Sequence, residues 1–300
     1  MDYMDLVKRS IANAWRYKFL WLFGFLVVST NGSFGQLWTD KFDRIDKHYL
    51  FNRYGDISFE PALIAMLLMA AFALFVIFWI LSVLSEGALI HGISRKELGL
   101  DVNFRQCWSA GANKFFRLFG IMLLALFLVF GFLLIIALFL VPVYFLSAIL
   151  GGILTVFAIP IFIVLIFTVT GIEGWAIRYA VLYDRPWLEA ISEGWRLFKE
   201  NIWRTVGVAL SSFFTVLVIA LAIGLSVLIL SIPFIIIGIF SLGLALIPGL
   251  ILLFIIIILS KCFCGVFSSS VWTLGFIQLT GYDKDNAENI TQQPAPLIES

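Results

Sequence analysis

Charged residues are scarce in this sequence and are missing from four long stretches. Asp, Glu, Lys and Arg make up 13% of the 300 residues, and 62% of the residues are hydrophobic. A soluble domain carries about 25% charged residues. None of the four charged types occurs in 19–39, 61–85, 118–172 or 205–260. A soluble fold could not cover so much apolar side chain with polar surface. The composition therefore predicts an all-α fold, a polytopic bundle of membrane helices.

Histidine and cysteine are also too few to support the common kinds of site. The two histidines, His48 and His91, stand far apart, and the three cysteines, Cys107, Cys262 and Cys264, show no metal-binding or disulfide spacing. No nucleophile elbow or phosphate-binding glycine loop occurs. The net charge of +1 offers no field for nucleic acid. We expect a protein that is not an enzyme, with no metal, no cofactor and no nucleic-acid partner.

The charge-free stretches predict six transmembrane helices. One span needs about 20 apolar residues. The first two stretches fit one span each, and the last two, of 55 and 56 residues, fit a helical hairpin each. The first span is the shortest, since its apolar core covers only Phe19–Val28 before polar residues intervene.

Lysine and arginine predict the orientation. Segments 1–18, 92–117 and 174–204 carry four, five and five of them, whereas the turns near 141–150 and 231–247 carry none. Basic segments stay in the cytoplasm. We therefore expect a multi-pass protein of the cell inner (cytoplasmic) membrane with its N- and C-termini in the cytoplasm.

The segments outside the spans have patterns of their own. In the loop 31–60, Trp38, Phe42, Ile45 and Tyr49 recur at roughly helical spacing, which predicts an amphipathic helix on the outer surface. The polar, acidic segment 286–300 predicts a disordered tail. The remainder, 1–285, is expected to form a single transmembrane domain.

An internal repeat divides that domain into three units, about 1–98, 99–185 and 186–285. Each unit contains an amphipathic stretch, aromatic and basic residues, and a glycine that enters a span: SIANAWRYKFLWLFG, QCWSAGANKFFRLFG and ISEGWRLFKENIWRTVG. A second landmark is the pair SEGALIHGIS and IEGWAIRYAV, with SSVWTLGFIQ in the corresponding place of the third unit. Gly120 to Gly207 and Glu86 to Glu173 are both 87 residues apart. We therefore predict three repeats, each an interfacial helix followed by two spans.

The interfacial helices are predicted from apolar stripes. These helices are expected to lie in the inner headgroup region, with their basic residues near anionic lipids. The second helix has Phe104, Cys107, Trp108, Gly111 and Phe115 on its apolar stripe. The third has Trp187, Leu188, Ile191, Trp195 and Phe198, with Glu189, Ser192, Glu193, Arg196 and Lys199 opposite.

These motifs carry a family resemblance. The stretches AWRYKFLWLFGFL and RPWLEAISEGWRLFKENIWRTVG resemble the membrane-domain family of glycerophosphoryl diester phosphodiesterases and related uncharacterised bacterial inner-membrane proteins. In that family the phosphodiesterase chemistry resides in a separate soluble barrel, which needs about 250 residues. The resemblance therefore implies a membrane module without the catalytic domain, and it implies no catalytic residue.

A set of polar residues within or beside the spans is the candidate site: Glu86, His91, Glu173, Arg178 and Ser270, with Lys261, Ser268 and Ser269 nearby. Charges at a helix centre cost at least roughly 2.5–3.5 kcal/mol on insertion scales, so they usually face the bundle interior. One interpretation is a polar pathway or ligand pocket. The other is that these groups sit near the inner interface, where basic side chains snorkel and carboxylates contact water.

Two hypotheses about function follow. The first is a non-enzymatic membrane module that organises membrane lipids or a membrane-protein partner. The alternative is a transporter or permease for a small molecule or lipid, using an intramembrane carboxylate site. The repeats have two spans each and share one orientation, which argues against an inverted-repeat carrier.

Overall fold

The computed structural model describes residues 2–30, 61–101, 103–240 and 246–282, and within these ranges every regular element is helical. The outer-loop helix predicted around Trp38–Tyr49 and the tail 286–300 lie outside the described residues. The helices are α1 (Tyr3–Arg16), α2 (Trp21–Thr30), α3 (Pro61–Glu97), α4 (Phe104–Asn113), α5 (Phe115–Leu146), α6 (Ala148–Leu182), α7 (Trp187–Glu200), α8 (Ile202–Phe240) and α9 (Leu246–Thr280), with a 3₁₀ turn at Lys18–Leu20.

Five of these helices are long and apolar enough to cross a membrane. Their qualifying segments are 32 to 35 residues long, longer than the roughly 20 residues that a bilayer requires. These five helices confirm the prediction of an all-α, multi-pass membrane protein. The predicted first span corresponds to α2, whose ten residues extend only about 15 Å at 1.5 Å per residue. Five candidate spans are therefore found in the described part of the chain. They lie in the ranges Ala65–Glu97, Phe115–Leu146, Ala148–Leu182, Ile202–Phe234 and Pro248–Thr280.

Three helices, α3, α6 and α9, form the centre of the bundle because each packs against the other two. The more peripheral helices lie around them: α2 contacts α3 and α9, α5 contacts α3 and α6, and α8 contacts α9. The helix pair α2 and α9 comes close because Gly24 and Gly265 meet. A Cβ built on Gly265 would lie 2.3 Å from the Gly24 carbonyl oxygen. Small residues allow such backbone contact between membrane helices.

The short helices α1, α4 and α7 pack on the central helices through small residues. Helix α4 lies on α3, where a Cβ on Gly111 would lie 2.3 Å from the Leu84 carbonyl oxygen. Helix α7 lies on α6, where a Cβ on Gly194 would lie 3.0 Å from the Ile172 carbonyl oxygen. Helix α1 lies on α9 and buries Leu6, Ser10 and Ala14 on its inner face.

The apolar stripes predicted for α4 and α7 have different surroundings in the structure. On α4, Cys107 and Gly111 are buried, and Trp108 and the 44% exposed Phe104 stack near the ring of Phe23 in α2, so part of this stripe contacts protein. On α7, the face buried in protein consists of Ala190, Gly194, Leu197 and Phe198, of which only Phe198 belongs to the predicted stripe. The stripe residues Trp187, Leu188 and Trp195 are exposed. The packing face was missed because alanine and glycine add little to an apolar pattern.

Ion pairs gather the basic segments at one end of the bundle, which we call the basic end. Arg9 pairs with Glu97, and the Asn13 side-chain amide donates to the same carboxylate at 3.2 Å. Arg117 and Lys114 contact an Asp184 carboxylate oxygen at 2.8 and 3.3 Å. These contacts place the C-terminal ends of α3 and α6 beside α1 and the start of α5.

Candidate functional site

Three turns of the central helices lie at a common depth in the bundle. Glu86 and Glu173 each lie 25 residues from the first residue of their helix, and Ser269 lies 23 residues from the start of α9. From these positions 9 to 11 residues remain to the basic end of each helix, or about 14–17 Å at 1.5 Å per residue. The acidic and hydroxyl side chains of three separate helices are therefore at one level.

A cavity of about 660 Å³ opens at this level between α2, α3, α5, α6 and α9. Its floor, toward the basic end, is polar, with Glu86, Glu173, Arg178, Ser268 and Ser269 among its residues. The walls extend away from the basic end and are mostly apolar. Wall residues include Val27, Val28, Trp79, Met122, Leu126, Val129, Ile166 and Val169.

An ion pair between two central helices forms part of the floor. Arg178 Nη2 lies 3.5 Å from Glu86 Oε1, and the Ser269 hydroxyl donates to the same oxygen at 3.4 Å. The side chains of Arg178 and Glu86 are 4% and 13% exposed. Burial of this pair costs solvation, and the mutual attraction and the added hydrogen bonds oppose that cost.

The guanidinium of Arg178 has further contacts that fix its position. Its Nη1 donates to the Gly174 carbonyl oxygen at 2.7 Å, and its Cζ lies 5.8 Å from the ring centre of Trp272. Its Nε is enclosed and has no hydrogen-bond partner in the described part of the chain. Arg178 is therefore held by protein contacts, and its charge acts on Glu86 and also on Glu173.

Glu173 is the second carboxylate of the floor and has a different environment. It is partly buried and lines the cavity. No hydrogen bond or ion pair joins its side chain to another residue within the ranges that the structure describes. The cavity therefore presents one carboxylate that protein groups leave available.

The structure brings Glu86, Glu173 and Arg178 of the predicted set together but not His91 or Ser270. His91 lies on α3 between Glu86 and the basic end, and it is not part of the cavity lining. Ser270 is fully buried, and its hydroxyl has no partner among the described residues, while its neighbours Ser268 and Ser269 line the cavity. Each helical residue turns about 100° from the last, so three consecutive serines cannot all face one cavity.

Sequence reasoning missed several lining residues that stand at helical spacing from the glutamates. Ser82 precedes Glu86 by four residues, and Thr170 precedes Glu173 by three. Residues three or four apart share a helix face, so this spacing was the available signal. Lys261, which lies two turns before Ser269 on α9, is not part of the lining.

The electrostatics of the basic end differ from those of the cavity floor. Burial lowers the pKa of Lys114, and the neighbouring Asp184 carboxylate opposes that shift. Burial also raises the pKa of the Cys107 thiol, to about 11. Among the described residues, no group of three or more His, Cys, Asp and Glu could hold a metal ion.

Comparisons with known proteins give no relative: no family model matches this sequence, and the searches of curated proteins and of solved structures find no match. The resemblance to the membrane-domain family of glycerophosphoryl diester phosphodiesterases therefore stays a prediction from the sequence.

Proposed function

We propose that this chain is a non-enzymatic membrane module that binds a membrane lipid between its helices. The observation that carries the proposal is the cavity of about 660 Å³, with a polar floor at one level and apolar walls beyond it. Ligand sites typically enclose about 300–1,000 Å³ and combine apolar walls with a few placed polar groups.

The polar floor and the apolar walls are arranged like the head group and the acyl chains of a lipid. The floor formed by Glu86, Glu173 and Arg178 lies nearer the basic end, and wall residues such as Val129 and Ile166 lie farther from it. A lipid from the leaflet at the basic end would put its head group at the floor and its acyl chains along the walls.

The same proposal includes six spans in three repeats, with the basic end and both termini in the cytoplasm and the module in the inner membrane. The 87-residue offsets support the repeats, as does the similar packing of α4 on α3 through Gly111 and of α7 on α6 through Gly194, each close to one of the two glutamates. The count of Lys and Arg supports the orientation. Reporters fused after Asp101 and Ser300 should both read cytoplasmic, and an external signal at Ser300 would break this arrangement.

Filling the cavity tests the lipid site. Val129 lines it, whereas its neighbour Leu128 is 54% exposed on the outside of α5. We expect Val129→Trp to lower the amount of lipid that copurifies in mild detergent, counted by native mass spectrometry. Leu128→Trp adds the same side chain to the same helix and should retain lipid like the original protein. Equal lipid retention by both variants would contradict the site, as would the absence of any bound lipid in the unaltered protein.

A transporter for the same class of molecule is the second candidate. The observation that favours it is the carboxylate of Glu173, which lies in an open cavity at membrane depth. The other side of the floor is closed by packed rings, with Trp175 and Trp272 at 4.9 Å and Trp175 and Phe276 at 6.1 Å between ring centres. Transport requires these rings to separate. Reconstituted protein that moves labelled lipid between leaflets faster than protein-free vesicles would favour the transporter over the static module.

A further inference from the structure

Charge at the cavity floor indicates which lipid head group fits, an inference that rests on the proposed lipid site. The floor holds two carboxylates and one guanidinium. Arg178 contacts Glu86 at 3.5 Å and the Gly174 carbonyl oxygen at 2.7 Å, and its side chain is 4% exposed. A head-group phosphate therefore cannot reach this guanidinium without breaking those contacts.

The carboxylate of Glu173 remains for the ligand. It lines the cavity, and the described residues supply it with neither an ion pair nor a hydrogen bond. The ionised floor carries one more negative than positive charge. An ionised carboxylate away from bulk water is costly unless it pairs with a cation or takes up a proton. The one guanidinium of the floor acts on both carboxylates, so the ligand group that complements the ionised floor is cationic.

Hydrogen bonding indicates which kind of cationic group fits the floor. A primary ammonium donates three hydrogen bonds, and the floor offers acceptors in Glu173 and in the hydroxyl of Ser268. A trimethylated ammonium has the same charge but no N–H donor. We propose that Glu173 accepts the terminal primary ammonium of a membrane lipid, the group present in phosphatidylethanolamine, whose acyl chains lie along the apolar walls.

The test uses full-length protein and three lipids with identical acyl chains. Phosphatidylethanolamine and phosphatidylcholine differ only in the methyl groups on nitrogen, and phosphatidylglycerol lacks the amine. We expect the unaltered protein to retain phosphatidylethanolamine about tenfold more than either other lipid, since hydrogen bonds to charged groups contribute that much or more. Glu173→Met has a side chain of similar length with neither the charge nor the carboxylate acceptor, and it should remove the preference. Glu189→Met, on the exposed surface of α7, should retain it.

The outcomes separate this inference from the proposed lipid site. Equal retention of the three lipids by the unaltered protein would overturn the ammonium inference and leave the lipid site standing. A preference that survives in Glu173→Met would overturn the role of Glu173. Retention of no lipid at all would overturn the lipid site itself.

Competition on the unaltered protein provides a second test that does not depend on folding of the variant. Dodecylamine should displace bound lipid at about tenfold lower concentration than dodecyltrimethylammonium, because only the amine donates hydrogen bonds. Free ethanolamine should not displace the lipid, because it lacks the chain that fits the walls. Equal potency of the two detergents contradicts the proposal, and displacement by ethanolamine would show that a free amine, not a lipid, is the ligand.

Discussion

The two halves of the bundle have similarly apolar helices but very different packing. Toward the basic end, large side chains such as Phe23, Trp175 and Phe267 are completely buried. Toward the opposite end, Phe139 and Phe145 are 73% and 88% exposed. Surface of this kind is stable only in a solvent as apolar as itself, which the bilayer provides.

Small and polar residues explain the difference. Gly265 and Gly111 meet the backbone of a neighbouring helix in the packed half. In the exposed half, no atom of another element among the described residues lies within 4 Å of a Cβ built on Gly131, Gly152 or Gly224. A plain apolar helix surface contacts lipid tails as favourably as it contacts another helix. Helices therefore associate where close backbone approach or polar pairing adds to the attraction. Three predictions test this contrast.

Removal of Arg178 should have the largest effect. Arg178→Met leaves Glu86 buried without its charge partner, and breaking a buried pair costs about 3–5 kcal/mol in free energy of unfolding. The double variant Glu86→Gln with Arg178→Met should regain most of that loss. Denaturant unfolding in detergent provides the measurement, with the exposed pair Arg185 and Glu189 as control. Arg185→Met should cost less than about 1 kcal/mol. Equal losses of unfolding free energy in Arg178→Met and Arg185→Met would show that the Arg178 pair is solvated.

Glycine substitution compares the packed and exposed halves directly. Gly265→Leu drives a side chain into the Gly24 backbone, so we expect a loss of about 3 kcal/mol in unfolding free energy. Gly131→Leu adds the same side chain in open space and should be neutral or stabilise by up to about 1 kcal/mol, since leucine has the higher helix propensity. Thermal unfolding in one detergent compares the two variants. Similar losses would mean that the opposite half also packs tightly.

The thiol of Cys107 should give the smallest effect, through pH. Burial raises the folded-state pKa of Cys107 from 9.0 to about 11. Above pH 9 the unfolded chain loses this proton and the folded chain retains it, so stability present below pH 9 is lost as pH rises toward 11. We expect this loss to approach about 2 kcal/mol. This pH-dependent loss should disappear in Cys107→Ala. The difference in unfolding free energy between the unaltered protein and Cys107→Ala should therefore change from pH 8 to pH 11. A constant difference would place the thiol in water rather than between α4 and α3.

Periodicity and charge in the sequence predicted where the helices lie better than they predicted which helix faces contact each other. The start of α3 at Pro61 and the break before Trp187 follow from local signals, because proline begins helices readily. The similar depth of Glu86 and Glu173 also follows from the sequence, because each comes directly after a charge-free stretch. The choice among Ser268, Ser269 and Ser270 did not, because it depends on how α9 is rotated toward its neighbours.

The sequence by itself determined that the chain is a bundle of membrane helices, since the absence of charge over long stretches leaves backbone groups no stable arrangement in lipid other than the helix. It also determined where the basic residues cluster. Only the tertiary structure decided that Arg178 pairs with Glu86, 92 residues away, and that Glu173 remains available to the cavity. The physical reason is that helix formation depends on neighbours in sequence. Pairing and enclosure depend on which faces of distant helices meet.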